Sequence, residues 1–169
     1  MTEVKARLVV VDAGPIIHLD ELEALAALGG FDEILLTRTV RVEILRHCKP
    51  DLSSLPIQYV EDPKSNKIVE ALSKTFLLHA GERAALSLST QLPGALFATD
   101  DMAARLAGEQ LGLKVHGSLG LLIRSVRLGL LSRDRVLQTL ESVPFRSTLH
   151  IKSSLLSVVI ERVKDFDRV

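Results

Sequence analysis

Cysteine and aromatic residues are nearly missing from this chain. Its 169 residues include one cysteine, no tryptophan, one tyrosine and five phenylalanines. The single Cys48 excludes an internal disulfide and a cysteine-built metal site, and it suits a reducing compartment such as the cytoplasm. So few rings exclude a base-stacking platform, in which successive bases each need an aromatic partner. A surplus of one charge is lacking too, since 21 Lys+Arg face 21 Asp+Glu. The surface as a whole therefore does not grip nucleic acid by neutralising phosphates, although a local basic groove is compatible with zero net charge. The five histidines, His18, His47, His79, His116 and His150, contain no i, i+4 pair, which argues against zinc and against a paired-histidine ribonuclease. No apolar run reaches the length of about 18 residues that a membrane span needs. Met1 to Arg7 lacks the apolar core of roughly 7 to 15 residues of a signal segment, so neither span nor leader is expected.

What the chain has is apolar mass, 47% of its residues. At 18.5 kDa it would expose about 8,000 Å² folded against about 27,000 Å² unfolded, enough for one core without staples. Leu8 to Val11 is an apolar run that ends in Asp12 and is followed by Gly14 and Pro15, which reads as a buried strand entering a helix. That helix is read to about Leu28, where Gly29 and Gly30 stop it. A strand Glu33 to Leu36, a helix Val40 to His47 and a weaker strand Ile57 to Val60 follow. A polar helical stretch after Pro63 leads to a helix Gly81 to Gln91. Ala95 to Thr99 is a second apolar strand running straight into Asp100 and Asp101. A helix Met102 to Leu111, a strand Lys114 to His116 and a helix Ser118 to Leu128 continue the alternation, and Arg133 to Glu141 and Ser153 to Val163 read as helices. The series predicts an α/β fold, a three-layer α/β/α sandwich around a parallel sheet of about four to five strands. The expected organisation is one domain over 1–169, with 147–169 a helical C-terminal extension packed on it.

In an open parallel sheet the functional crevice lies beyond the carboxyl ends of the strands, and here those positions carry acids. Asp12 follows the first strand, Asp100 and Asp101 follow the strand 95–99, and Glu43 and Glu82 lie early in helices. Carboxylates about 4 Å apart repel by roughly 4 kcal/mol at an effective dielectric of 20, so such a cluster binds a cation or shifts a pKa upward. Oxygen-only donors suit Mg²⁺ or Mn²⁺. Each acid also has a plainer reading. Glu82 sits where a helix dipole favours a carboxylate, and Asp100 or Asp101 is placed to cap the helix after it. With Thr39 as cap, a capping-box glutamate belongs at Val42 rather than Glu43. With Pro15 as first helical residue, Gly14 is the cap and Asp12 has no capping role.

Other uses of these acids fail on spacing. A haloacid-dehalogenase phosphatase needs a second aspartate at Gly14, a receiver domain needs an acidic pair before Asp12, and a dinucleotide fingerprint needs more glycines than Gly14 supplies. Gly112 to Ser118 has P-loop spacing without the lysine. Nothing resembles a serine or cysteine triad. For holding a phosphate backbone the candidates are Arg38, Arg41, Arg46, Arg83 and Arg105, although Arg46 and Arg105 stand at salt-bridge spacing from Glu43 and Asp101.

The ordered segments Asp12-Ala13-Gly14-Pro15-Ile16-Ile17, Val42-Glu43-Ile44-Leu45, Gly81-Glu82-Arg83-Ala84-Ala85-Leu86 and Thr99-Asp100-Asp101 resemble the four acidic motifs of PIN-domain nucleases. The stretch from Gly112 to Leu122 is similar to a segment typical of the PIN-like subgroup labelled DUF3368. The resemblance spans about residues 8 to 165. It implies a Mg²⁺- or Mn²⁺-dependent ribonuclease, in many relatives the toxin of a toxin–antitoxin pair, with RNA as substrate and a small antitoxin protein as partner. By motif match Asp12, Glu43 and Glu82 take the first three acidic positions. Thr-x-Asp selects Asp101 for the fourth, the strand end selects Asp100, and Thr99 is the hydroxyl residue beside the site. Carboxylate-held metal would orient a water for in-line attack, with Glu82 or Asp101 able to take its proton. The rival expectation is a PIN-like binding or regulatory module without turnover. The apolar residues of helix 14–28 and of the tail 151–163 exceed what one sheet face hides, and with the resemblance they suggest a homodimer.

Overall fold

The computed structural model describes residues 7–167. Residues 1–6, most of the Met1 to Arg7 stretch that lacks an apolar leader core, and residues 168–169, the end of the expected extension, lie outside them. The strands β1 (Leu8–Val11), β2 (Glu33–Thr37), β3 (Ile57–Val60), β4 (Leu96–Ala98) and β5 (Lys114–His116) form one sheet in the order β3-β2-β1-β4-β5. Every pairing is parallel. Successive strand residues point to opposite faces, and Val9, Val10 and Val11 are all fully buried, so the sheet centre is covered on both sides. The cover comes from α1 (Ala13–Glu21), α2 (Arg38–His47), α3 (Lys67–Thr75), α4 (Ala80–Thr90), α5 (Met102–Gln110), α6 (Ser118–Arg127), α7 (Arg133–Arg146) and α8 (Ser153–Lys164). Among the described residues no helix is long and apolar enough to cross a membrane.

The chain lays down β1, β2 and β3 outward in one direction, then crosses back to place β4 on the free side of β1. Strand order reverses there, and that reversal leaves a crevice beyond the carboxyl ends of β1 and β4. Register brings the two ends level. Val11 lies opposite Ala98, and the Asp12 N–H donates to the Ala98 carbonyl at 2.9 Å. Asp12 and the Thr99-Asp100-Asp101 turn thus leave the sheet side by side. Close approach of α5 behind β4 depends on Gly108, where a Cβ would stand 3.0 Å from the Phe97 ring and from Val115.

Three local expectations are corrected. The helix read over 14–28 breaks after Glu21. Glu23 takes a left-handed conformation with φ 52°, and the chain resumes as a 3-10 helix, Leu25–Leu28, packed on α6. The bend puts Leu22, Ala24, Ala27 and Leu28 all in the core, so this segment holds far less exposed apolar surface than its leucines suggest. The helix begins two residues earlier than Gly14 as cap requires, because Asp12 itself is the N-cap; Pro15 then occupies the third helical position, where an N–H is still without an intrahelical acceptor. Finally, α7 runs past Glu141 to Arg146 with Pro144 in its last turns, and Val143 accepts from the Ser147 N–H beyond it. In α8, Leu156, Val159 and Val163 are buried, facing α7. Glu21 also ties down the segment before α8, accepting from the Ser147 hydroxyl at 2.7 Å and from the Thr148 N–H at 2.7 Å.

Candidate functional site

Asp12 is held where two strands and a helix meet. One carboxylate oxygen accepts the Ala13 N–H at 2.8 Å, capping α1, and the other accepts the Thr99 hydroxyl at 3.0 Å. Thr99 is fully buried and its hydroxyl in turn accepts the Asp101 N–H at 3.2 Å. Asp101 caps α5 through the Ala104 N–H at 2.7 Å. A threonine and two aspartates from different strand ends thus form one hydrogen-bonded string. The capping role weighed against Asp101, and denied to Asp12, is present for both, and neither cap removes the carboxylate charge from the crevice.

Glu43 and Glu82 come from α2 and α4, which pack together. Thr37, not Thr39, caps α2, and Thr39 instead turns its N–H and hydroxyl to Asp62. Glu43 is seated against Gly81, where a Cβ would overlap its carboxylate oxygen. Glu82 reaches back to the His79 N–H at 2.8 Å, so the helix-start reading holds for it as well. The four acids share one field. Burial pushes the Asp12 carboxyl up to about 7 against the help of Ala13 and Thr99, and repulsion from Glu82 and Glu43 adds to the rise. Glu82 is raised by partial burial and by repulsion from Asp101 and Glu43, with the His79 N–H opposing.

Asp100 is employed elsewhere. It accepts the Ser118 N–H at 2.6 Å, the Ser118 hydroxyl at 2.6 Å and a ring nitrogen of His18 at 2.7 Å. Gly117 leaves room for this, since a Cβ there would stand 2.7 Å from the Asp100 carboxylate. Asp101 thus lies toward Glu82, whereas Asp100 ties α1 and α6 to the end of β4. His18, Ser118 and the seat at Gly81 carry parts of this arrangement that the sequence reading did not assign. Comparison with protein families matches residues 8–165 to the PIN domain, in the group labelled DUF3368. The chain belongs to the PIN-domain family. Among curated proteins and among solved structures nothing matches.

PIN domains are generally metal-dependent nucleases. In this PIN domain Asp12, Glu43, Glu82 and Asp101 offer only oxygen, and a mutually repelling set with Asp12 buried and the others half-buried has the chemistry of a site for a hard divalent cation. Among the described residues no three carboxylates, histidines or cysteines are drawn close enough together to bridge one ion; Asp12, Glu82 and Asp101 repel one another and are each tied to a separate N–H or hydroxyl. A cleft of about 690 Å³ beside the acids is lined by Glu43, Gly81, Arg38, Arg46, His47 and His79. Of the other candidate cations, Arg41 stacks on Tyr59 at 4.2 Å, and Arg105 pairs with Glu109 at 3.8 Å rather than with Asp101.

The Asp12 shift has a defined effect on stability. Its carboxyl titrates near 7 folded and in the ordinary range unfolded, so between about pH 4 and 7 the folded state binds the extra proton and stability falls as pH rises. Asp12→Asn removes the charge and keeps one oxygen to accept the Ala13 N–H, while the bond from the Thr99 hydroxyl loses its acceptor. In EDTA at pH 8 the variant is expected to melt above the parent by about 5 °C or more, the difference shrinking toward pH 5. An Asp12→Asn destabilised equally at both pH values would show instead that Asp12 is a structural hydrogen-bond residue.

Proposed function

We propose that this PIN domain is an endoribonuclease, dependent on Mg²⁺ or Mn²⁺, that hydrolyses RNA phosphodiester bonds in the cytoplasm as the toxin of a toxin–antitoxin pair. The observation that carries the reading is Asp12, a buried carboxylate raised to about 7 with Glu82 and Glu43 pressing on it. Such a site is at odds with a purely structural role, because burying an acid among acids costs stability that a cation would restore. Asp12, Glu43, Glu82 and Asp101 would hold the ion. When bound, it supplies charge against the phosphoryl oxygens and acidity to a water. The remaining steps belong to the chain. Thr99 and the Ala13 N–H fix the direction of Asp12, the α5 cap fixes Asp101, and the His79 N–H fixes Glu82. Glu82, half-buried and raised, is the carboxylate best suited to take a proton from the attacking water. Arg46 on the rim offers positive charge to the backbone of the strand, beside Arg38, which also pairs with Glu61 at 3.7 Å.

The second reading, a PIN-like RNA- or protein-binding module without turnover, draws on the separation of the carboxylates, which are not gathered for one ion among the described residues. Cleavage of a mixed RNA pool separates the two. With Mn²⁺ the parent is expected to cut, EDTA to abolish cutting, and Asp12→Asn and Asp101→Asn to lose at least about 100-fold, since asparagine preserves both caps. Asp100→Asn is expected to lose about 1–3 kcal/mol of stability, with cleavage largely kept in the folded fraction. Cutting by Asp12→Asn at the parent rate would remove the ribonuclease reading.

The homodimer proposal now rests on α7 and α8, where Phe145 is 88% exposed and Leu155 and Val158 lie more than half exposed. The expected mass by light scattering at tens of micromolar is that of two chains, with Phe145→Asp and Val158→Asp shifting it toward one. A monomeric parent mass contradicts the proposal.

A further inference from the structure

A second cavity, of about 850 Å³, opens between α3 and α4 and the segment after β3. It shares Thr39, Asp62 and Ala80 with the cleft that Glu43 lines, so the two cavities adjoin. Three cations line the second cavity: Lys64, Lys74 and Arg83. All three are exposed, and among the described residues none of them stands in an ion pair. Of the two acids on its wall, Asp62 is already engaged by the N–H and hydroxyl of Thr39, which hold its carboxyl below the usual range against partial burial; Glu70 is the other. Its apolar wall comes from Pro63, Leu77 and Leu78.

One detail marks this cavity as more than a surface dent. Ser73, on α3, is 5% exposed and lines the cavity, and among the described residues its hydroxyl has no hydrogen-bond partner. A buried hydroxyl without a partner is costly, and serines in helices ordinarily bond back to a carbonyl one turn earlier, as Ser87 and Ser89 do here. A ligand oxygen would satisfy it. The volume lies within the range of small-molecule sites, and the lining combines an apolar wall with cations and a hydroxyl, which is the chemistry of a nucleotide held by its phosphates.

We propose that this cavity is a subsite for a nucleotide of the RNA strand adjoining the one cut. Lys64, Lys74 and Arg83 neutralise its phosphates, and the Ser73 hydroxyl donates to a phosphate or sugar oxygen. The absence of stacking aromatics fits recognition of backbone rather than base. The inference rests on the ribonuclease reading for the position of the cut, but binding is measurable without turnover. The subsite lets a protein of zero net charge hold RNA, since the cations needed are concentrated in one groove.

The test uses a fluorescein-labelled 2′-O-methyl decanucleotide, which resists cleavage, titrated in EDTA and followed by anisotropy over a range of salt. The parent is expected to bind with a clear salt slope. The triple variant Lys64→Gln, Lys74→Gln, Arg83→Gln is expected to bind at least tenfold more weakly at low salt, its log–log slope shallower by about 0.7 to 1.4, the value for one or two phosphates on a single strand. Ser73→Ala is expected to weaken binding several-fold at unchanged slope, with a melting temperature equal to or above the parent's, because among the described residues its buried hydroxyl has no partner to lose. Parent affinity and slope in the triple variant, or a parent that does not bind, overturns the subsite and leaves the cavity to another occupant such as an acidic protein segment. Loss of binding in the triple variant supports the subsite even if the parent cuts no RNA with Mn²⁺, in which case the ribonuclease reading alone falls.

Discussion

The carboxylate of Asp12 sits at the one place where the sheet reverses its strand order, and the neighbouring structure is arranged around the cost of keeping it there. Burial disfavours its charge, and Glu82 and Glu43 disfavour it further. Two donors oppose this, the Ala13 N–H and the Thr99 hydroxyl. Because both come from the first residue of α1 and the end of β4, the same bonds that direct the carboxylate also set how helix and strand leave the sheet. Fold and site are therefore not separable at this point. The hydrophobic strands bring the ends level, and the polar string from Asp12 through Thr99 to Asp101 fixes what projects beyond them.

The two adjacent aspartates show how one turn serves two purposes. Asp101 lies toward Glu82, whose carboxyl it helps to raise, while capping α5. Asp100 points the other way and receives three donors from Ser118 and His18, joining β4 to α1 and α6. A single acid there would have to choose between crevice and scaffold. The glycines on either side complete the division: the missing Cβ of Gly81 seats Glu43, and that of Gly117 admits Asp100.

Much of this was legible in the sequence. Apolar runs ending in acids announced β1 and β4, and the alternation with helical segments announced a parallel sheet, because both follow from local periodicity. The break after Glu21 was not legible, since the leucines from Leu19 to Leu28 suit one helix and only packing of Leu25–Leu28 on α6 decides otherwise. Asp12 as a cap was hidden by Pro15, whose first-position preference pointed to Gly14. The separation of Asp100 from Asp101 depends on partners 18 and 82 residues away, Ser118 and His18, which no local pattern connects. The groove of Lys64, Lys74 and Arg83 was equally invisible to composition, because zero net charge conceals a local concentration of cations.

The central claim is that the carboxylates at the strand ends form a site for a divalent cation, with Asp12 in it and Asp100 outside it. Direct titration with Mn²⁺, followed by calorimetry or by the loss of the free-ion paramagnetic resonance signal, tests that claim without any assumption about substrate. Saturable binding by the parent at millimolar Mn²⁺ or below, lost in Asp12→Asn and retained in folded Asp100→Asn, is the predicted result. A parent that binds no Mn²⁺, or an Asp12→Asn that binds as the parent does, would contradict it.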